Sequence, residues 1–514
     1  MTDIPELAGT VFTDFGPGDD RVRDIAVQPW DNKIVVVGES DGDFAVSRYH
    51  ADGSLDASFG LGGKVKTDFD GQRDRANAVA IAPDGTITVV GTVKEDGNTD
   101  MGIARYLSNG GPDFSFSGDG RRTVGFGHDD EAYAVALQPD GKIVVAGAAD
   151  ERDGLLLGRT IEDMDYALVR LNPDGSLDHT FAGDGKLRKE SPILSRFVAV
   201  TILDDGRIIA GGNRQIYRFH ADGTPDASLD GDGKLAVTRG ELIDLVAHGD
   251  GRFAYIMGEK SSHFLGGLDA SGSYVFTATI PFESRALALQ SDGNFVIAAA
   301  TGSEAVPGDF ALMRYTPTGA MDSGFGEGSG LTIHGIFLGS LEEPYNDEPS
   351  SIAIAPNGKI VVAGHTDRGS FSAYAIARYR PWGALDADCA EQPTPLVLSA
   401  LAETFFRRGD VDGDGSLSIN DAIHFLKWIL LGSKSIACDD AADTNDDGNL
   451  TLDDAIYSLS FNFLGTAPPP VPFTACGLDI TPDELGCQDQ EICSPPDLST
   501  GALDQPPIVA IDAF

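Results

Sequence analysis

The chain is 514 residues long, 41% apolar and 23% charged, with 80 Asp and Glu against 37 Lys and Arg and a formal net charge of −43. That length exceeds one ordinary core and points to several domains or a large repeat ring. A surface this acidic repels nucleic acid and anionic membrane and attracts cations; no apolar run reaches a bilayer span, and 63 glycines without a Gly-X-Y period favour a mainly β protein rich in tight turns.

The opening stretch MTDIPELAGTVF has neither a basic n-region nor an apolar h-region, so no signal peptide is expected in it. The next stretch, GTVFTDFG (9–16), matches GKVKTDFD (63–70) and reads as a strand whose own unit is missing in front of it. After it a hairpin signal recurs seven times: VQPWDNKIVVVG (27–38), IAPDGTITVVG (81–91), LQPDGKIVVAG (137–147), ILDDGRIIAGG (202–212), AHGDGRFAYIMG (247–258), LQSDGNFVIAAA (289–300) and IAPNGKIVVAG (354–364). Each joins two β-rich strands through an Asp- and Gly-rich turn. A second hairpin follows in most units, as in FAVSRYHADGSLDASFGLGGKV (44–65). Four strands per repeat, seven repeats and no WD or kelch signature predict a seven-bladed β-propeller. The last unit stops at YAIARYRPWGALDADC (374–389) without a fourth strand, so the N-terminal strand is predicted to complete blade seven and close the ring.

Six units place an Arg eight residues before an Asp: Arg48/Asp56, Arg105/Asp113, Arg170/Asp178, Arg218/Asp226, Arg314/Asp322 and Arg378/Asp386. A ring of catalytic carboxylates is one reading. A structural ion pair across each outer turn is the better one, because unit five has lost both partners together, with Gly267 and Val275 in their places.

Two long connections, 148–165 and 334–349, fall where strands two and three, or four and one, are joined, and both emerge on one face. Acidic linkers on that face, Asp19-Asp20, Asp129-Asp130-Glu131 and Glu342-Glu343, read as solvated turns rather than cation sites. The letters Gly38-Glu39-Ser40-Asp41-Gly42 imitate a nucleophile elbow, but a strand follows where a helix is required, so this is a hairpin connection. DGDGKL (230–235) begins like a calcium loop and then puts Lys234 at a ligand place, which makes it a turn. The nine histidines show no metal-ligand spacing, and no catalytic residues are assigned.

Beyond an expected linker (389–404) the chemistry changes. In DVDGDGSLSIND, Asp410, Asp412, Asp414, Ser416, Ser418 and Asp421 stand at places one, three, five, seven, nine and twelve of a loop, with Gly415 at the turn and Ser416 offering its carbonyl. This is the oxygen spacing of a seven-coordinate Ca²⁺. Thirty-three residues later Asp443, Asn445, Asp447, Asn449, Thr451 and Asp454 repeat it around Gly448. Leu417 and Leu450 are the apolar residues that pair the loops, and DAIHFLKWILLG (421–432) and DAIYSLSFNFLG (454–465) follow as amphipathic helices. Two bound Ca²⁺ ions are expected. Asp rather than Glu at place twelve has a shorter reach and suits weaker, extracellular-type affinity. All five cysteines, Cys389, Cys438, Cys476, Cys487 and Cys493, crowd this last quarter, which favours one or two disulfides and an oxidising compartment. Residues 488–514 read as a disordered tail.

With FFRRGDVDGDG, CDDAADTNDDG and PFTACGLDITPDELGC around them, the paired loops resemble the dockerin type I duplication over about 405–487. The repeats over about 9–388 resemble the delta-60 repeat, with its RxxPDGSLDxxFGxxG and PDGKIVVAG signatures. The dockerin resemblance implies docking onto a cohesin through places ten and eleven of each loop; here these are Ile419, Asn420, Leu452 and Asp453, which depart from the usual Ser or Thr. The sequence therefore supports a non-catalytic, exported or cell-surface protein: a propeller as binding scaffold and an EF-hand-like, calcium-binding module for attachment to a cohesin-like or other surface protein. The rival readings are a polysaccharide-degrading enzyme, using Glu342 or Glu343 on the long-loop face, and a subunit of a cellulosome-like assembly.

Overall fold

The computed structural model describes residues 9–16, 19–69, 73–95, 97–150, 164–191, 195–237, 240–259, 262–302, 308–334, 346–367, 372–386 and 419–431, together with residues 442, 452, 456 and 457. The chain divides into two compact units, Met1–Pro393 and Thr394–Phe514.

The first unit is a seven-bladed propeller: its strands form seven four-stranded antiparallel sheets. Blade one runs outward through Asp20–Val27, Ile34–Ser40, Asp43–Tyr49 and Lys64–Thr67, and the next five blades repeat this order. Blade seven takes Asn346–Ile354, Ile360–Asp367 and Ser372–Tyr379 from its own repeat and its outer strand, Thr10–Thr13, from the N-terminus. The closing strand pairs antiparallel from Thr10 opposite Ala377 to Thr13 opposite Tyr374. The Tyr49 hydroxyl of blade one donates to Thr13 Oγ1 at 2.7 Å, so the joint is held from both sides.

Apolar side chains alternate along each strand and pack against both neighbouring blades, so the core is a ring of layers, one at each junction. At the first junction Val35, Val37, Phe44 and Val46 of blade one meet Ala76, Val79, Ile87 and Val89 of blade two. At the closing junction Val22, Ile34 and Val36 meet Val361, Ala363, Tyr374 and Ile376.

The glycine ending each VVVG or VVAG run has a steric cause. The inner strands bulge, as between Val22 and Asp24, between Ala76 and Ala78 and between Ala132 and Ala134, and this turns the preceding carbonyl onto the second strand. A Cβ on Gly38 or Gly91 would lie 1.9 Å from the carbonyl oxygen of Arg21 or Arg75. Blades five and six carry Met257 and Ala299 opposite the bulge instead.

The six Arg/Asp pairs are ion pairs, and five of them also do what the sequence did not reveal: they tie one blade to the next. Nε lies 2.7–2.9 Å from the carboxylate in every case, from Arg48–Asp56 to Arg378–Asp386. Nη1 of five of these arginines donates to a turn carbonyl of the following blade: Arg48 to Ser108, Arg105 to Pro173, Arg170 to Ala221, Arg218 to Ala270 and Arg314 to Pro381. The Phe three residues after the Asp lies under the guanidinium, 4.6 Å away for Arg48 over Phe59 and 4.8 Å for Arg170 over Phe181. That same ring abuts a positive-φ turn glycine of the next blade, Gly110 and Gly223 respectively, where a Cβ would clash. The Lys or Arg of the PDGK turn adds a second cation to four of the carboxylates, as with Lys33 on Asp56 at 2.9 Å and Lys359 on Asp386 at 2.8 Å.

Blade five reaches the same contact without charge. The Phe276 ring fills the space a side chain on Gly267 would need and lies against Gly319 of blade six. Joint loss of Arg and Asp is thus compensated by an aromatic residue one place later.

In the second unit one helix, α1 (Ile419–Leu431), is described; it begins two residues earlier than the sequence pattern suggests. It buries Ala422 and Phe425 and exposes Leu430. Of the second expected helix only Ile456 and Tyr457 lie among the described residues, and both are helical. An EF-hand-like helical domain is therefore not demonstrated, because most of 405–487 lies outside the described residues, as do the linker, the tail and all five cysteines.

Removing one partner of a buried pair leaves a charge without compensation. Arg170→Ala is expected to cost roughly 3–5 kcal/mol in denaturant unfolding. The double variant Arg170→Ala/Asp178→Ala should cost less than the sum of the singles by about 0.5–3 kcal/mol. Additive losses would contradict the pairing.

Candidate functional site

The seven inner strands line the axis, and their bulges direct residues such as Arg23, Tyr133 and Arg285 to one mouth. Opposite charges meet there. Arg23 lies 3.6 Å from Glu39, Arg285 3.1 Å from Glu283 and 3.6 Å from Glu348, and the Arg196 guanidinium sits 5.3 Å over the Tyr133 ring. Deeper in the ring two aspartates join blades. Asp24 accepts from Val79 N of blade two at 2.9 Å and from Ser351 Oγ of blade seven at 2.7 Å, and Asp244 accepts from Leu287 N of blade six at 2.8 Å. Burial pushes their carboxyls up to about 6 and about 7, with the charge of Asp24 adding to the rise at Asp244.

Two of the acidic linkers are not simply solvated turns, and here the structure corrects the sequence reading: Asp19 is exposed, but its neighbour Asp20 is not, and Asp129 and Glu131 are only half-exposed. Asp20 and Asp130 are fully buried. Asp20 accepts from Phe15 N at 2.7 Å, Asp130 from Phe126 N and Asp150 N, and Asp129 from Thr99 N at 3.0 Å. Each closes a connection between blades, and burial raises the Asp130 carboxyl to about 7. A composition count sees only charge; burial was decided by where the fourth strand returns. Glu342-Glu343 lie outside the described residues, as do most of the two long connections.

The false elbow is a two-residue hairpin, with Asp41 at φ 52° and Gly42 at φ 86°. DGDGKL is a turn, with Asp230 at φ 48° and Lys234 opening the next strand. One serine–histidine contact was not foreseen. Ser284 Oγ lies 2.8 Å from His263 Nδ1, and Ser284 N donates to the same nitrogen at 3.2 Å. They border a cavity of about 380 Å³ with Arg196, Glu241 and Arg285. Ser284 is only 1% exposed, so its hydroxyl ties blade five to blade six and does not meet a substrate carbonyl.

On the opposite face, among the short turns, a cleft of about 540 Å³ opens between blades one and two. It is bordered by Trp30, which is 47% exposed. The first-blade turn, QPWDNK, carries one residue more than QPDGK of blade three, and Asn32 takes φ 58° to accommodate it.

None of the calcium ligands predicted for the two loops is described as a side chain. Asp410, Asp412, Asp414, Ser416, Ser418, Asp443, Asn445, Asp447, Asn449, Thr451 and Asp454 lie outside the described residues, and Asp421 is placed only as backbone in the first turn of α1.

The carboxyls divide into two classes with opposite pH dependence. Asp24, Asp130 and Asp244 titrate above an unfolded carboxyl near 4, so their stabilising contribution is complete below that value and is lost as pH rises through 6 to 7. Asp178 is held at about 2, burial being outweighed by hydrogen bonds from Thr180 and by the Arg170 and Lys142 charges. Its contribution is present above about 4 and lost as pH falls toward 2. The melting temperature should therefore rise from pH 8 to 5. Asp244→Asn should flatten that rise relative to the parent; an unchanged slope would show that the channel carboxyl does not titrate there.

No curated protein matches the chain. Virginiamycin B lyase from Staphylococcus aureus, crystallised in an inactive form with quinupristin, is similar at 12% identity over 72% of this chain and 98% of that one, with a TM-score of 0.43. Sqt1 from Chaetomium thermophilum shares 12% identity over 74% and 98%, TM-score 0.40, and U3-55K 10% over 73% and 99%, TM-score 0.45. Likenesses this weak transfer nothing to this chain. Segments 31–59, 82–116, 138–156, 164–181, 203–229, 290–325 and 355–388 match the family model described as "Domain of unknown function (DUF5122) beta-propeller". They fall on every blade except the fifth, the one that has exchanged its Arg/Asp pair for Phe276.

Proposed function

We propose that this chain is a non-catalytic, exported interaction protein, in which the propeller is a rigid binding scaffold and the C-terminal unit is a calcium-dependent attachment module. The observation that carries the second half is the position of α1. It starts at Ile419, place ten of the first loop, so Asp421 at place twelve is supplied by a helical first turn. A loop that ends in a helix of fixed start is what an EF-hand-like site requires. The donor set, all Asp, Asn, Ser, Thr and backbone oxygen, fits hard Ca²⁺ and is a poor match for softer metals. When bound, the ion supplies two positive charges per loop, which offset the mutual repulsion of Asp410, Asp412, Asp414 and Asp421.

For the propeller, the repeated carboxylates are engaged by arginines of their own blade, most of which also tie that blade to the next, which favours a scaffold over a ring of catalytic acids. Attachment through a cohesin-like partner rests on the dockerin resemblance; of the four recognition places, Leu452 is 43% exposed.

Calorimetric titration of the full chain with Ca²⁺ should resolve two sites, one of which disappears in Asp410→Ala and the other in Asp443→Ala. EGTA should lower the melting temperature of the C-terminal unit and leave the propeller transition in place. Absence of binding at millimolar Ca²⁺ would overturn the proposal.

A further inference from the structure

We infer that the cleft between the short turns of blades one and two is a binding site for a neutral saccharide, with Trp30 as its stacking platform. This deepens the reading of the propeller as a binding scaffold and rests on it.

Seven equivalent turns allow an internal comparison. Six close with a small Gly- and Asp-rich turn, and only the first inserts a tryptophan. Trp30 is held from below, since a Cβ on Gly85 of blade two would lie 3.6 Å from its Cζ2. It remains 47% exposed to solvent, which leaves part of the indole open to a ligand.

Charge selects the ligand class. The cations of the cleft are already engaged: Lys33 Nζ lies 2.9 Å and Arg48 2.7 Å from the buried Asp56. Asp31 and Asp84 make no ion pair among the described residues; with Asp56 the neighbourhood holds three carboxylates against Lys33 and Arg48, a net charge of −1 that disfavours uronates, sulfated glycans and phosphates. Each spends one carboxylate oxygen on its own turn, Asp31 on Lys33 N at 3.2 Å and Asp84 on Thr86 N at 2.9 Å, which leaves the other to accept from a hydroxyl. Asn109 Oδ1 likewise accepts from Gly111 N at 3.0 Å, and its NH2 is the group that can donate to a ligand. Gln28, 3% exposed, borders the cleft with a buried Oε1 that has no hydrogen-bond partner among the described residues. An aromatic face flanked by carboxylate and amide groups suits the apolar face and paired hydroxyls of a pyranose.

The full chain would be titrated with cellohexaose, xylohexaose and mannohexaose, and with oligogalacturonate as the anionic comparison, by calorimetry and tryptophan fluorescence. At least one neutral hexaose should bind, and Trp30→Ala should weaken it by about tenfold or more. Trp382→Ala, on another turn of the same face, should change it by less than about twofold. Asn109→Ala, which touches the cleft from blade two, should weaken it with the fold intact by circular dichroism. Failure of every neutral hexaose, tighter binding of oligogalacturonate, or equal binding by Trp30→Ala each overturns the inference. A preserved two-site calcium titration in that event would leave the attachment module standing. Cleavage of a bound hexaose would support the cleft and remove the non-catalytic reading of the propeller.

Discussion

The propeller depends on a guanidinium that no blade can satisfy alone. Each latch arginine gives Nε to an aspartate eight residues away, and five of the six give Nη1 to a carbonyl 51 to 68 residues away, in the next blade. A buried cation with half its donors unmet is costly, so an isolated blade is electrostatically incomplete as well as apolar on both faces. Both deficits are removed by the same neighbour. Repeating one contact around the ring therefore sets blade spacing, while the phenylalanine beneath four of the guanidinium groups, and Leu229 in blade four, fixes how closely the next turn approaches.

Closure follows from the same requirement. A seventh blade missing its outer strand would present an open edge, and the N-terminal strand fills it while bonding to blade one through Thr13 and Tyr49. Blade five shows that the contact matters more than its chemistry. Phe276 replaces a charged pair with an aromatic ring, and the turn glycine it meets is retained.

The two faces of the ring are built differently. On the connection face, aspartates at the starts of inner strands are buried to close loops. Their raised pKa values are the electrostatic cost of that arrangement, set against the depressed pKa values of latch carboxylates such as Asp178. On the turn face the repeats are nearly uniform, so a single inserted tryptophan alters the surface without disturbing a core layer. The connections that vary most in length are thus not the only places where one blade departs from the rest.

By itself the sequence determined what is local. Hairpins and the Arg/Asp spacing of eight are written within about two dozen residues, and the four-strand unit within one repeat, because they report contacts between near neighbours along the chain. The unpaired GTVFTDFG strand added the one distant fact it could, since a repeat without its partner has to find one. Tertiary structure decided the rest: which carbonyl receives each arginine, why Gly38 faces a bulge, that Asp20 and Asp130 are buried, and that Trp30 borders a cleft. Those partners stand in the adjacent blade, and the lean of one blade on the next, which no local pattern encodes, brings them into reach.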